Sequence, residues 1–243
     1  MRATRELDPG PGDVDAAVRA RLGHRSPGVR VAVVSVAAYL LTTTAALALG
    51  WLVARTGPAG PAGLDATVTT WFARHRVDAL DGVGTHLSTP TAPLAVVGLT
   101  TGAVLVLLLR RRWREATVLL VAVPLELAAY LSTVTLVDRP RPDVVPLEPA
   151  PVTASFPSGH AAAAVALYGA LAVVARASAT SGRAARWVVV VAAVVVVGVG
   201  VGRVYAGLHH PSDVAAGWAV GAAALVAAVL AARMVPEEPP GPG

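Results

Sequence analysis

Three short stretches hold most of the side chains in this sequence that could do chemistry: DRPRP at 138–142, FPSGH at 156–160 and GRVYAGLHHPSD at 202–213. Together they offer arginines, histidines, a carboxylate and a Ser-Gly pair, the parts needed to hold a phosphate, attack it and protonate what leaves. In FPSGH, Pro157 presets a turn and Gly159 permits close backbone approach. A helix starting there presents unpaired N–H groups and a positive dipole end to an anion. Ser158 adds a hydroxyl donor, and His160 stands where a leaving oxygen would take its proton; a capping or interfacial histidine is the plainer alternative. In the third stretch Pro211 fits the first turn of a helix, and Asp213 follows His209 by four residues. A carboxylate so placed can accept the N–H of one imidazole nitrogen and leave the other as a nucleophile. His210 is out of register for that pairing and reads as a headgroup-level or cap residue. Arg139, Arg141 and Arg203 supply planar forks suited to phosphate oxygens.

The elements that must position these residues are membrane helices. Of 243 residues 55% are hydrophobic and only 14% charged, and the mean hydropathy is +0.62. Such a chain is too apolar for an ordinary soluble domain. There is no cysteine, which excludes disulfides, thiolate metal sites and cysteine nucleophiles. All twenty basic residues are arginine, so no side-chain ammonium group is available. The net charge of +5 fits attraction to anionic headgroups better than nucleic acid, because the arginines are dispersed among apolar runs.

About 30 Å of hydrocarbon crossed at 1.5 Å per residue requires about 20 apolar residues. Six stretches qualify, at about 30–54, 91–109, 115–137, 160–176, 186–203 and 213–233. The expected fold is therefore an all-α membrane protein of six transmembrane helices. A polar tail at 1–29 precedes a membrane domain at 30–234 and a short tail at 235–243. With the N-terminus in the cytoplasm, fourteen of the twenty arginines lie inside, as the positive-inside rule asks. The RRRWR run at 110–114 then reads as a topology anchor, and GVGVG at 198–202 as close helix packing rather than a nucleotide loop. The segment at 55–90 is expected to carry a helix lying on the outer surface with Trp71 and Phe72 toward lipid, or an ordinary external loop helix. Glu126, within the third span, reads as a polar contact with another helix, with a proton relay as the alternative.

This topology brings the three stretches to one outward-facing end, formed by spans 3 to 6. Spans 4 and 5 make a hairpin of arms about 25 Å long, which returns Arg203 to the level of His160.

At these residues the chain resembles the type 2 phosphatidic acid phosphatase family, membrane lipid phosphatases related to vanadium haloperoxidases. The family pattern is Lys-x6-Arg-Pro, Pro-Ser-Gly-His and Ser-Arg-x5-His-x3-Asp. Pro157, Ser158, Gly159 and His160 match the second block, and Arg203, His209 and Asp213 match the third. Arg141 and Pro142 keep the end of the first, but Val134 stands at the Lys position and Gly202 at the Ser position. The resemblance implies hydrolysis of a lipid phosphate without metal or other cofactor. His209 would form a phosphohistidine with Asp213 orienting it, and His160 would protonate the leaving group. Arg141, Arg203, Ser158 and the Gly159 N–H would hold the phosphate, and Arg139 is the candidate to replace the missing lysine. Phosphatidate-like, phosphatidylglycerophosphate-like and polyprenyl-pyrophosphate-like substrates all fit. A transferase using the same histidine, or a membrane protein that binds phospholipid with little or no turnover, are the alternatives. Membrane lipids are the implied surroundings, and nucleic acid is not an expected partner.

Overall fold

A computed structural model describes residues 25–56, 60–86, 89–179 and 181–236. Most of the expected N-terminal tail, and the EEPPGPG end at 237–243, lie outside the described residues. Every regular element among the described residues is helical: α1 (Pro27–Arg55), α2 (Pro61–Arg74), α3 (Asp78–His86), a short 3-10 turn (Thr89–Thr91), α4 (Pro93–Leu109), α5 (Trp113–Leu136), α6 (Gly159–Ala177), α7 (Gly182–Tyr205) and α8 (Pro211–Ala232). Proline opens α1, α2, α4 and α8, where its missing N–H costs no helical hydrogen bond.

Five of these helices, α1, α5, α6, α7 and α8, are long and apolar enough to cross a membrane. The expected second span is α4, apolar but 17 residues long. At 1.5 Å per residue it reaches about 25 Å, slightly short of the hydrocarbon thickness.

The bundle is organised around α8, which packs against α1, α5 and α6, while α7 leans mainly on α6 and meets α8 near its end through Val204, Val214 and Trp218. The core joins Val118, Leu119 and Ala122 of α5 to Leu167 and Ala170 of α6 and Ala224, Ala228 and Ala231 of α8. Small side chains dominate because helices surrounded by lipid gain more from close backbone approach than from apolar burial alone. Backbone meets backbone most closely between α6 and α8. A Cβ at Gly217 would lie 2.4 Å from the Ser158 carbonyl oxygen, and one at Gly221 the same distance from that of Ala162. Along α7, by contrast, Val189, Val190, Val191, Val194 and Val197 are exposed, as suits a face turned to acyl chains.

The segment between α1 and α4 lies across the ends of α7 and α8. Trp71 faces outward, stacked on His75 at a centroid distance of 4.6 Å. Phe72 does not share that orientation: it turns inward onto the cluster of Val204 and Val214 with Trp218 and meets the Tyr205 ring edge-on at 6.2 Å. On a helix of 3.6 residues per turn neighbouring positions diverge by about 100°, so Phe72 reaches the inner cluster while its ring still meets that of Trp71 edge-on at 5.2 Å.

Candidate active site at one end of the helix bundle

The C-terminal ends of α5 and α7 and the N-terminal ends of α6 and α8 meet at one end of the bundle, and all three chemical stretches lie there. Direct backbone bonds join them. Ser158 N donates to the Asp213 carbonyl at 2.9 Å, Ser155 N to the Arg139 carbonyl at 2.9 Å, and Leu147 N to the Ala206 carbonyl at 3.0 Å. The turn from α7 to α8 passes through Gly207 at φ 73°, a left-handed conformation that favours glycine.

His209 is buried at the end of that turn. Its Nδ1 lies 2.8 Å from the Ser155 carbonyl oxygen and 3.7 Å from Asp213 Oδ2. The expected bond from the imidazole to Asp213 is thus replaced by one to a backbone carbonyl. A carbonyl only accepts, so Nδ1 carries the proton and Nε2 keeps its lone pair. Burial lowers the His209 pKa below its ordinary value; Asp213 opposes that shift, and Arg203 and Arg141 add to it. The neutral imidazole is therefore favoured, in the tautomer a nucleophile needs.

Asp213 is completely buried and fully hydrogen-bonded. Its Oδ2 accepts from the His210 backbone N–H at 2.8 Å and from Ser155 Oγ, while Oδ1 accepts from Arg139 Nη1. The bond to His210 N also caps α8. Ser155 thus touches Asp213 with its hydroxyl and His209 with its carbonyl, a link with no sequence signature because half of it is backbone.

Arg139 departs from expectation. Its Nη1 donates to Asp213 and, at 2.8 Å, to Ser212 Oγ, and its Nη2 donates to Asp65 Oδ2 at 2.5 Å. Held between two carboxylates, it is not placed to replace the missing lysine in a phosphate cradle. Asp65, on α2, also accepts from Ser212 N at 2.9 Å and from Ser212 Oγ at 2.5 Å.

Arg203, near the end of α7, is paired with Glu148 of the 137–158 connection. Arg141 donates to the carbonyls of Leu208 at 2.7 Å, of Pro151 and Thr153 at 3.2 Å each, and of Ala154 at 3.3 Å. Both arginines therefore fasten that connection over the turn between α7 and α8. Burial lowers the Arg141 pKa, with the nearby Arg203 charge next in size. His160, one residue into α6, lies within electrostatic reach of Arg203, His209 and Arg141. Ser158 and Gly159 open the same helix. Among the described residues, Ser158 Oγ is buried without a hydrogen-bond partner. Gly159 abuts the Tyr130 ring, which a Cβ would approach to 2.9 Å. Val134, at the position of the missing lysine, is buried one turn further along α5. Glu126 is also buried in α5.

Residues 118–236 match the model of the PAP2 superfamily. The chain belongs to that superfamily. The match begins in α5 and runs past the end of α8, so it covers all three stretches. Two solved structures share the PAP2 chain's fold. One is the transmembrane PAP2-type phosphatidylglycerolphosphate phosphatase from Bacillus subtilis, with TM-score 0.68 and 22% identity over 80% of this chain and 93% of that one. The other is Aquifex aeolicus LpxE, with TM-score 0.53 and 24% identity over 70% of this chain and 95% of that one. No curated protein matches the sequence.

Proposed function

We propose that this PAP2 phosphatase removes a phosphate group from a lipid monophosphate or diphosphate, through a phosphohistidine and without a metal ion. The observation that carries the reading is the gathering of His209, held neutral by burial and in one tautomer by Ser155, with His160, Arg203 and Arg141 at the N-terminal end of α6. His209 Nε2 attacks phosphorus while the bond to the leaving oxygen breaks, and His160 delivers a proton to that oxygen. Water then attacks the phosphohistidine, gives its proton to His160, and the departing imidazole regains its lone pair. Ser158 Oγ and the Gly159 N–H, with Arg141 and Arg203, stabilise the equatorial oxygens as charge develops on them. The Glu148 carboxylate and the carbonyls around Arg141 give way to phosphate in that state.

A lipid substrate accords with the surroundings. An apolar recess of about 220 Å³ adjoins the site between α7 and α8, lined by Val68, Phe72, Val204, Val214 and Trp218 among others. We place the chain in the cell membrane with α4 as its sixth span, both termini cytoplasmic and the site facing outward, following the arginine distribution.

The test uses purified protein in detergent with EDTA and a panel of lipid phosphates. Phosphatidylglycerolphosphate comes first, as the substrate named for the Bacillus subtilis structure. Release of inorganic phosphate, abolished by His209→Ala, is expected. Absence of release from every lipid refutes the reading, and transfer of label to an added alcohol instead of water makes the protein a transferase.

A further inference from the structure

Asp65 lies far in sequence from every residue assigned to the reaction, 74 positions from Arg139 and 147 from Ser212. It nevertheless reaches the centre through one side chain. Arg139 uses one arm on Asp65 and the other on Asp213, and Ser212 bonds to both Asp65 oxygens. All three charged side chains are at most 5% exposed. A planar guanidinium suits this task, because its fork addresses two carboxylates at once where an ammonium is a point charge.

Stability alone does not explain the arrangement. Buried ion triads are often no more stable than apolar side chains of the same volume, because the desolvation of each charge offsets the attraction. The charge count suggests a purpose. Two carboxylates share one guanidinium, so the cluster carries one negative charge in excess, beside an imidazole that becomes cationic when phosphorylated. With Asp65 neutral, Arg139 would cancel Asp213 and leave that cation without support.

We propose that Asp65 is a positioning residue for the phosphoryl-transfer centre. Acting through Arg139, it fixes the Asp213 carboxylate and keeps its charge available to His209. The inference rests on the reading of His209 as the nucleophile. The charged or titratable groups that face His209 itself are Asp213 from α8, Arg203 from α7, Arg141 from the 137–158 connection and His160 from α6. Asp65 and Arg139 act one layer behind Asp213. Through them the surface helix α2 becomes part of the catalytic apparatus.

The test compares Asp65→Asn with the wild-type full-length chain in detergent. Asn keeps the shape and one acceptor but removes the charge. Loss of a charged hydrogen bond of this kind corresponds to a fall in kcat of about tenfold or more, with KM held within about twofold because no phosphate contact is touched. Removing a negative charge also makes His209 harder to protonate, so the acid limb of kcat/KM moves to lower pH. Loosened packing would hydrate His209 and move that limb the other way, to higher pH. Arg139→Lys is the second variant: it keeps the charge but cannot bridge both carboxylates, and kcat is expected to fall similarly. The proposal is overturned if kcat stays within twofold of wild type in whichever variant folds. It is equally overturned if Asp65→Asn lowers kcat with the acid limb unmoved. A readout independent of turnover separates the two readings. In 15N-histidine NMR, with His209 assigned by its loss in His209→Gln, the titration midpoint is expected to be lower in Asp65→Asn. An unchanged midpoint refutes the Asp65 link even in an active enzyme. A wild-type chain that releases no phosphate refutes the nucleophile reading while the midpoint still decides the link.

Discussion

Gly217 tests whether close contact between α6 and α8 sets the geometry of the site. A methyl group at this position would lie 2.4 Å from the Ser158 carbonyl oxygen, 3.1 Å from Ala161 Cβ and 3.2 Å from Ala162 N. The nearest obstacle cannot swing aside, because the Ser158 carbonyl accepts the Ala162 N–H at 3.0 Å as the first bond of α6. Restoring an ordinary non-bonded separation requires α8 to retreat by about 1 Å. That moves Asp213, one turn away on α8, relative to Ser158 and His160 on α6. In Gly217→Ala the helix gains up to about 1 kcal/mol of propensity, against about 1–3 kcal/mol for overpacking. A modest loss of thermal stability is therefore expected. Activity should suffer far more, since a misplacement of about 1 Å costs on the order of a hundredfold. Initial rates of phosphate release from a lipid phosphate in detergent, read beside Tm, measure both effects. Gly102→Ala is the control: among the described residues a Cβ there meets nothing within 4 Å, so kcat/KM should hold while Tm stays level or rises. A Gly217→Ala enzyme with kcat/KM within threefold of wild type would refute the claim that this contact positions the site.

Ser158→Ala should separate function from stability. Its hydroxyl is buried without a partner among the described residues, so removal should leave Tm unchanged or higher while kcat/KM falls about tenfold or more; a lower Tm with normal kinetics would contradict this. Burial lowers the pKa of both His209 and His210. The unfolded chain therefore takes up protons on them before the folded protein does. Their contribution to stability is full above about pH 6.5 and declines as pH falls below it, which a Tm series from pH 8 to 5 would show and a flat series would disprove. Val134→Lys restores the lysine of the family pattern on the turn of α5 next to Tyr130. It should lower KM for the lipid phosphate by about tenfold at some cost in Tm from burying an ammonium group; an unchanged or higher KM would mean that position 134 does not reach the phosphate.

The helices and the gathering of the three stretches were legible because both depend on local pattern. Apolar runs of span length declare themselves, and the matched lengths of spans 4 and 5 return Arg203 to His160. Arg139 was misread for a physical reason: a guanidinium shows its charge in sequence but not which anion it meets, and Asp65 is 74 positions away. Ser155 was invisible because its bond to His209 uses the carbonyl that every residue has. Glu148 lies among prolines in a connection with no periodicity. For Phe72 the apolarity of the 55–90 segment left both a lipid-facing helix and an ordinary external loop helix open, and its inner partners on α7 and α8 lie more than 130 positions away.

The Glu148–Arg203 pair has a consequence for the traffic of substrate and product. Arg203 already holds a carboxylate, so on the proposed function the arrival of phosphate is an exchange of anions rather than the filling of a bare positive site. Only the difference between two ion pairs then enters the dissociation constant. The same exchange works in reverse, and the returning carboxylate helps to expel the inorganic phosphate left behind. Glu148 belongs to the connection that Arg141 fastens over the turn between α7 and α8, so each catalytic cycle would tug on that cover once in each direction.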